Sequence, residues 1–173
     1  MDKFEKMLVD LDYLTEKGSK IEPEYYQDII ESYQVSASGE QGAYYAMVSK
    51  KEISSLEEAF PLLFIHSLYE SEEWSMDNSM WKEGFNSQEW KELLKKNWFP
   101  EYLNIKNGAV AYKYISEEVF YNWFPVAEKI ASLAIRSNIV KIIRYGDIDS
   151  YFDYKYIVET AADYVLFHYW TTG

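Results

Sequence analysis

The chain has 173 residues, 48% of them hydrophobic and 18% aromatic, and a formal net charge of −12. This length and apolar content predict one compact domain spanning residues 1–173 and argue against intrinsic disorder. The absence of cysteine excludes disulfides and thiol nucleophiles, and the negative charge disfavours direct binding to nucleic acid or to an anionic membrane.

The first third of the chain is predicted to be mostly helical. Apolar residues at helical spacing indicate a first helix that begins after Asp2 and ends at Gly18. A second helix is expected to begin near Pro23, because proline is favourable in the first turn of a helix. Residues 43–50 fit either a helix or a strand.

The middle of the chain contains the most apolar predicted helix, residues 56–69. Ser54 followed by Glu57 resembles a capping box at its start. We expect this helix to be the central, most buried one, with a kink at Pro61. A short helix over residues 88–98 is expected to follow, with Ser87 as its cap.

The last third combines a predicted hairpin with two predicted helices. Asn107 and Gly108 favour a tight turn and therefore a β-hairpin over residues 102–115. A helix is expected over 116–138, residues 139–145 fit a third strand or a continued helix, and a final helix is expected over 154–170. Together the patterns predict an α+β fold that is predominantly α-helical, with about six helices and a small antiparallel β element that residues 139–145 can join.

The acidic side chains are concentrated in one half of the chain. Residues 1–86 hold 18 acidic and 7 basic side chains, whereas residues 87–173 hold 11 acidic and 10 basic ones. The stretch YESEEWSMDNSMW, residues 69–81, has four carboxylates, two tryptophans, two methionines and no basic residue. An acidic surface of this kind favours a basic protein partner.

No motif in the sequence predicts a catalytic chemistry. P-loop, dinucleotide-binding and nucleophile-elbow patterns do not occur. His66 and His168 both lie in strongly apolar stretches, so a structural role is the favoured interpretation and a shared metal site is a weak one. We therefore expect no enzyme activity, no cofactor and no metal.

The segment GDIDSYFD, residues 146–153, superficially resembles a calcium-binding loop. The sixth position, counted from Asp147, is Phe152, where such a loop needs glycine. The favoured interpretation is that Asp147 or Asp153 caps the final helix and that the neighbouring carboxylates, including Asp149, are solvated.

These patterns favour an acidic binding protein that docks on and inhibits a basic protein surface. Immunity proteins, antitoxins and phage-encoded inhibitors of nucleases or defence proteins have this profile, because a nuclease must present positive charge to its substrate. Tryptophans and surrounding carboxylates form typical contact surfaces. The candidate partner-binding residues are Glu70, Glu72, Glu73, Trp74, Asp77, Trp81, Asp147 and Asp149.

Other interpretations of the sequence stay open. The chain could be a small carboxylate-dependent enzyme whose groups converge only in three dimensions, or a structural or assembly subunit. Trp74 and Trp81 could instead cover the central helix, and the glutamates of 69–81 could pair with Lys91, Lys95 and Lys96. The N-terminal stretch lacks the apolar core of a signal peptide, so a cytoplasmic location is expected. The protein is expected to be a monomer or a homodimer.

Overall fold

The computed structural model describes residues 1–37, 39–70, 86–122 and 125–172. The α-helices of this part of the chain are Lys3–Leu8 (α1), Leu11–Ser19 (α2), Leu56–Tyr69 (α3), Ser87–Leu93 (α4), Phe99–Tyr102 (α5), Glu117–Phe120 (α6) and Pro125–Ala134 (α7). A 3-10 helix covers Pro23–Ile29 and a π-helical turn covers Leu94–Trp98. The strands are Ile30–Ala37 (β1), Gln41–Ser49 (β2), Tyr112–Tyr114 (β3), Ile139–Tyr145 (β4), Asp153–Thr160 (β5) and Asp163–Thr171 (β6).

All of these strands form a single sheet in the order β1-β2-β6-β5-β4-β3. Every neighbouring pair is antiparallel. The expectation of a predominantly helical chain with a small β element is therefore wrong, because a six-stranded antiparallel sheet forms the centre of the described structure.

Helices cover both faces of the sheet. On the first face, α3 packs over alternate residues of the strands, such as Ala46, Ile157 and Leu166, while α1 and α2 pack on α3 and α4 packs on α2. On the second face, α6 and α7 pack over the intervening residues, such as Val158 and Phe167. Because successive strand residues point to opposite faces, both sets are buried in an apolar core.

The predicted final helix over 154–170 is instead the β5–β6 hairpin. The β6 strand of this hairpin is mostly buried, so its sequence is largely apolar and does not alternate with polar residues as a half-exposed strand does. The turn that joins the two strands has no glycine. Thr160 Oγ1 accepts a hydrogen bond from the Asp163 amide at 3.0 Å, and this side chain closes the turn.

The predicted hairpin over 102–115 forms its turn but not its strands. Asn107 and Gly108 both have positive φ, at 53° and 74°, and Lys106 and Ala109 exchange two backbone hydrogen bonds of 3.1 Å. The turn then docks on the junction of α1 and α2, where the Leu11 amide donates to the Gly108 carbonyl. Strand β3 pairs with β4 instead, which confirms a strand at residues 139–145.

Three other predicted helices are broken into shorter segments. The first is divided at Asp10, whose side chain caps α2 by accepting from the amides of Asp12 and Tyr13. The second is a single 3-10 segment, and the chain then continues as strand β1. The helix predicted over 116–138 is represented by the two short helices α6 and α7.

The central buried helix is confirmed, since α3 spans Leu56–Tyr69 with Pro61 inside it. Its cap residue is Ser55, which makes no side-chain capping hydrogen bond, so the predicted capping box is wrong. Asn86 rather than Ser87 caps α4. Within the described ranges, no helix combines the length and the apolar character that crossing a bilayer requires.

Candidate functional site

The loop that joins β4 to β5, residues 146–152, is held in one conformation by its own backbone and side chains. Gly146 has a φ of 84°, a value that favours glycine. The Ser150 hydroxyl oxygen accepts hydrogen bonds of 3.1 Å from the amides of Phe152 and Asp153. These contacts fix the course of the β4–β5 loop.

A buried arginine supports the same loop from β4. Arg144 is 9% exposed, and its Nη2 atom donates to the Ser150 carbonyl at 2.6 Å. The same atom lies 3.3 Å from the Asp153 carbonyl and 3.4 Å from the Asp147 carbonyl. The guanidinium also lies over the Tyr154 ring, 4.5 Å from its centroid. The Nη2 atom thus lies within hydrogen-bonding distance of three carbonyl oxygens while the planar group stacks on an aromatic ring, and a lysine ammonium cannot stack in this way.

The side chains of the loop point outward. Tyr151 is 80% exposed and Phe152 is 57% exposed. Asp147 and Asp149 are exposed as well, and neither carboxylate forms an ion pair with a residue that the structure describes. Two aromatic rings and two carboxylates therefore share one exposed loop of fixed backbone.

The end of β6 connects this loop to the β1–β2 turn. The Thr171 amide donates to the Phe152 carbonyl at 2.9 Å, and the Thr172 amide donates to the Glu40 carbonyl at 2.8 Å. The exposed Glu40 therefore lies at the same end of the sheet as the β4–β5 loop. We call Glu40, Asp147, Asp149, Tyr151 and Phe152 the acidic aromatic end.

A cavity of about 440 Å³ lies between α3 and the first face of the sheet. A cavity of this size can hold a small ligand. Aromatic rings and a few polar groups form its wall, which among the described residues consists of Gln34, Tyr44, Phe64, Ser67, Leu68, Glu70, Tyr102, Lys155, His168 and Trp170.

One histidine–carboxylate pair borders this cavity on β5 and β6. His168 Nε2 hydrogen-bonds Asp153 Oδ1, and Asp153 Oδ2 lies 3.6 Å from Lys155 Nζ. Burial alone would raise the pKa of the Asp153 carboxyl, but the hydrogen bond and charge of His168, together with Lys155, hold it below its ordinary value. Asp153 therefore stays ionised beside the cavity.

A second histidine–carboxylate pair lies at the end of α3. His66 Nε2 is 2.6 Å from Glu70 Oε1, and the Ser32 hydroxyl donates to the same oxygen at 2.6 Å. Burial opposes ionisation of Glu70, but these two hydrogen bonds outweigh it and lower the pKa of the carboxyl. Glu70 lines the cavity, so the cavity has an ionised carboxylate in its wall.

Two residues of β2 shape the cavity wall. The Tyr44 hydroxyl is buried and hydrogen-bonds no described residue with normal geometry, and burial together with the Glu70 charge raises its pKa. Gly42 lies under the Trp170 indole, so that a Cβ at position 42 would be 2.1 Å from Trp170 Cζ2. The indole lies where only a residue without a side chain leaves room for it.

The predicted site residues have different outcomes. Glu70 lines the cavity, and Asp147 and Asp149 lie in the exposed β4–β5 loop. Glu72, Glu73, Trp74, Asp77 and Trp81 lie outside the described residues.

The three lysines that could pair with the glutamates of residues 69–81 form ion pairs with other carboxylates. Lys91 pairs with Glu16 at 2.7 Å, and Lys95 pairs with Asp12 at 2.7 Å. Lys96 pairs with Glu92 within its own helical segment at 2.8 Å. The lysine-rich helix is thus joined to α2 in the described structure.

Sequence reasoning missed the exposed aromatics of the β4–β5 loop and the His168–Asp153 pair. Both omissions have the same cause, because a helix predicted from residue 154 makes Phe152 a flanking residue and separates Asp153 from His168. The adjacent pair Tyr151-Phe152, a few residues after Gly146 in a polar stretch, was the signal available in the sequence.

The described residues contain no group of three or more histidine, aspartate or glutamate side chains arranged to hold a metal ion. Comparisons of the chain with protein-family models, with curated proteins and with solved structures found no match.

Proposed function

We propose that the protein is a non-enzymatic binding protein that docks its acidic aromatic end on a basic surface of another protein and so inhibits it. The partner class is a nuclease or another nucleic-acid-binding protein, because such proteins present positive charge. The observation that carries the proposal is the pair Tyr151 and Phe152, exposed beside Asp147 and Asp149 on one loop.

The two aromatic side chains supply the contact area. Large aromatic side chains provide most of the binding energy in many interfaces, and a monomeric protein has little reason to expose two adjacent ones. Tyr151 and Phe152 lie where the loop enters β5, and both rings are exposed there, so that a concave surface on a partner can bury them.

The carboxylates supply specificity and speed of encounter. Asp147, Asp149 and Glu40 are exposed at the same end of the sheet. Opposite charges on a partner steer its approach and raise the association rate, whereas a partner with an acidic surface is repelled.

The fixed backbone lowers the cost of binding. Immobilising a flexible loop costs conformational entropy, and a loop that is already ordered avoids most of that cost. Arg144 and Ser150 hold the β4–β5 loop through the hydrogen bonds described above.

Site-specific photo-crosslinking in the native host tests the proposal. A photoreactive phenylalanine analogue replaces Tyr151 in one variant and the exposed Tyr121 of the α6 terminus in a matched control. We expect a basic protein to be captured through position 151 and not through position 121, and the purified protein to reduce that partner's activity on nucleic acid.

Two results contradict the proposal. Equal capture through positions 121 and 151 shows that the loop has no special role. Capture of a second copy of this chain through position 151 supports the assembly subunit instead of the inhibitor.

A further inference from the structure

We propose that the cavity between α3 and the sheet binds a small organic cation, an ammonium or guanidinium group on a short apolar stem. This inference goes beyond docking through the acidic aromatic end and does not depend on it. It stands on the shape, the ring content and the charges of the cavity.

The cavity wall suits the stem and the charge of such a ligand. Tyr44, Tyr102 and Trp170 contribute aromatic rings, and Phe64 and Leu68 contribute apolar surface. Aromatic faces attract cations, and the attraction is stronger where water is excluded. A volume of about 440 Å³ accepts a ligand of this size.

Glu70 is the group that selects for positive charge. Its Oε1 atom accepts the hydrogen bonds from His66 and Ser32. A carboxylate has two oxygens with about four acceptor positions, so it can accept further hydrogen bonds from an ammonium. A charge-assisted hydrogen bond of that kind is among the stronger ones in proteins.

Lys155 is a cationic group in the cavity wall, and the protein already supplies its partners. Lys155 Nζ donates to the Tyr102 carbonyl and lies 3.6 Å from Asp153. Lys155 and His168 thus share the Asp153 carboxylate, and Glu70 is the carboxylate among the described residues of the wall. An anionic ligand would be repelled by Glu70, and Lys155 would not be free to attract it because Lys155 already lies beside Asp153.

The ring that lies nearest the end of the sheet is held in place. Trp170 lies over Gly42, and its indole is 5.0 Å from the His168 ring, centroid to centroid. The Trp170 indole therefore needs no reordering when a ligand arrives, which reduces the entropy lost on binding.

Three probes of four carbon atoms each test the inference on the full chain: butylammonium, butanol and butyrate. Binding is followed by the NMR shift of the Trp170 indole N–H, assigned with Trp170→Phe. We expect butylammonium to bind about tenfold more tightly than the other two, because the gain is one charge-assisted hydrogen bond. Equal binding of the three probes, or preferential binding of butyrate, overturns the inference.

Two variants locate the binding to the cavity. We expect Glu70→Gln to weaken butylammonium about tenfold through loss of the charge-assisted bond, and the exposed Glu52→Gln to leave it unchanged. Because Glu70→Gln also removes a partner of His66, Gly42→Ala is the second variant, since it displaces the Trp170 indole from β2. Unchanged affinity in both variants also overturns the inference.

The source of the cation is separated by a fourth probe, a capped Gly-Lys-Gly peptide. Binding as tight as that of butylammonium identifies a lysine side chain of another protein as the ligand, and rejection of the peptide identifies a free amine. Asp147→Asn with Asp149→Asn keeps the two proposals distinct, because this variant is expected to weaken docking on the protein partner and to retain the native affinity for butylammonium.

Discussion

The Nη2 atom of Arg144 lies 2.6 Å from the carbonyl oxygen of Ser150, so that a buried guanidinium on β4 fixes an exposed loop at the end of the sheet. The same group stacks on Tyr154. The loop that carries Tyr151 and Phe152 is therefore an extension of the folded core.

The first prediction concerns this arginine. Arg144→Lys keeps the charge but loses the planar donor group, so the free energy of unfolding should fall by about 1–3 kcal/mol. Urea denaturation measures the change, and faster hydrogen exchange of the Phe152 amide should accompany it. The matched control is Arg136→Lys. Arg136 forms an exposed ion pair with Glu31, so this change should lower the free energy of unfolding by roughly 0–1 kcal/mol. Equal losses in the two variants would show that Arg144 has no special role in the loop.

The second prediction compares two neighbouring tyrosines on opposite faces of β2. The buried Tyr44 hydroxyl makes no hydrogen bond of normal geometry within the described residues, so Tyr44→Phe should leave the free energy of unfolding unchanged or raise it by up to about 1 kcal/mol. The Tyr45 hydroxyl donates to Glu31 at 2.8 Å, so Tyr45→Phe should lower it by about 0.5–1.5 kcal/mol. Thermal or urea unfolding decides, and the reverse order of the two variants would contradict the described hydrogen bonding.

The third prediction concerns acid. The pKa of Asp153 lies below its ordinary value of 3.8 and that of Glu70 below 4.5. A lowered pKa means that the folded chain binds fewer protons than the unfolded chain, so the stability from each group is present above the ordinary pKa and is lost as pH falls through the folded value. Unfolding measured from neutral to acid pH should show a shallower acid decline for Asp153→Asn and Glu70→Gln than for the native chain. Identical slopes in all three proteins would show that ionised Asp153 and Glu70 do not cause the loss of stability in acid.

The fourth prediction concerns the close packing of Trp170 on Gly42. A Cβ at position 42 would lie 2.1 Å from the indole, so Gly42→Ala should lower the free energy of unfolding by about 1–3 kcal/mol through overpacking. In a Trp170→Leu background the same change should cost little, since the smaller side chain leaves room. This double-mutant cycle is measured by urea denaturation. Equal costs in both backgrounds would show that the two residues do not interact.

The most apolar helix and one tight turn of the chain could be predicted from the sequence. The α3 helix has the predicted bounds because its 14 residues are apolar around most of its circumference, and the Asn107-Gly108 turn has the predicted conformation because both residues tolerate positive φ. These features depend on neighbours in sequence, which a pattern of residues records directly.

The sheet could not be predicted in the same way, because its inner strands β2, β5 and β6 are largely buried. The β6 segment from Tyr164 to Trp170 alternates between two buried faces, and a strand of this kind resembles a buried helix in sequence. The β5–β6 turn has no glycine that would indicate it in the sequence, because the Thr160 side chain closes it through a hydrogen bond. Contacts at long sequence separation, here the pairing of Tyr44 with His168, decided the fold.

The candidate site shows the same limit. The sequence predicts Asp147 and Asp149 as contact residues, because their negative charge can be read directly from the sequence. The exposure of Tyr151 depends on where β4 ends and β5 begins, and the pairing of His168 with Asp153 depends on β5 and β6 lying side by side. Exposure and pairing of these groups follow from the topology of the sheet.

The central claim is that the acidic aromatic end binds a basic protein, and calorimetric titration of the crosslinked partner with matched variants tests it most directly. We expect Tyr151→Ala and Phe152→Ala each to weaken binding by about tenfold or more, and Asp147→Asn with Asp149→Asn to reduce the dependence of affinity on salt. The control Glu52→Gln with Glu128→Gln removes the same charge elsewhere and should bind as the native chain does. Native affinity in the loop variants, or an equal loss in the control, would contradict the claim.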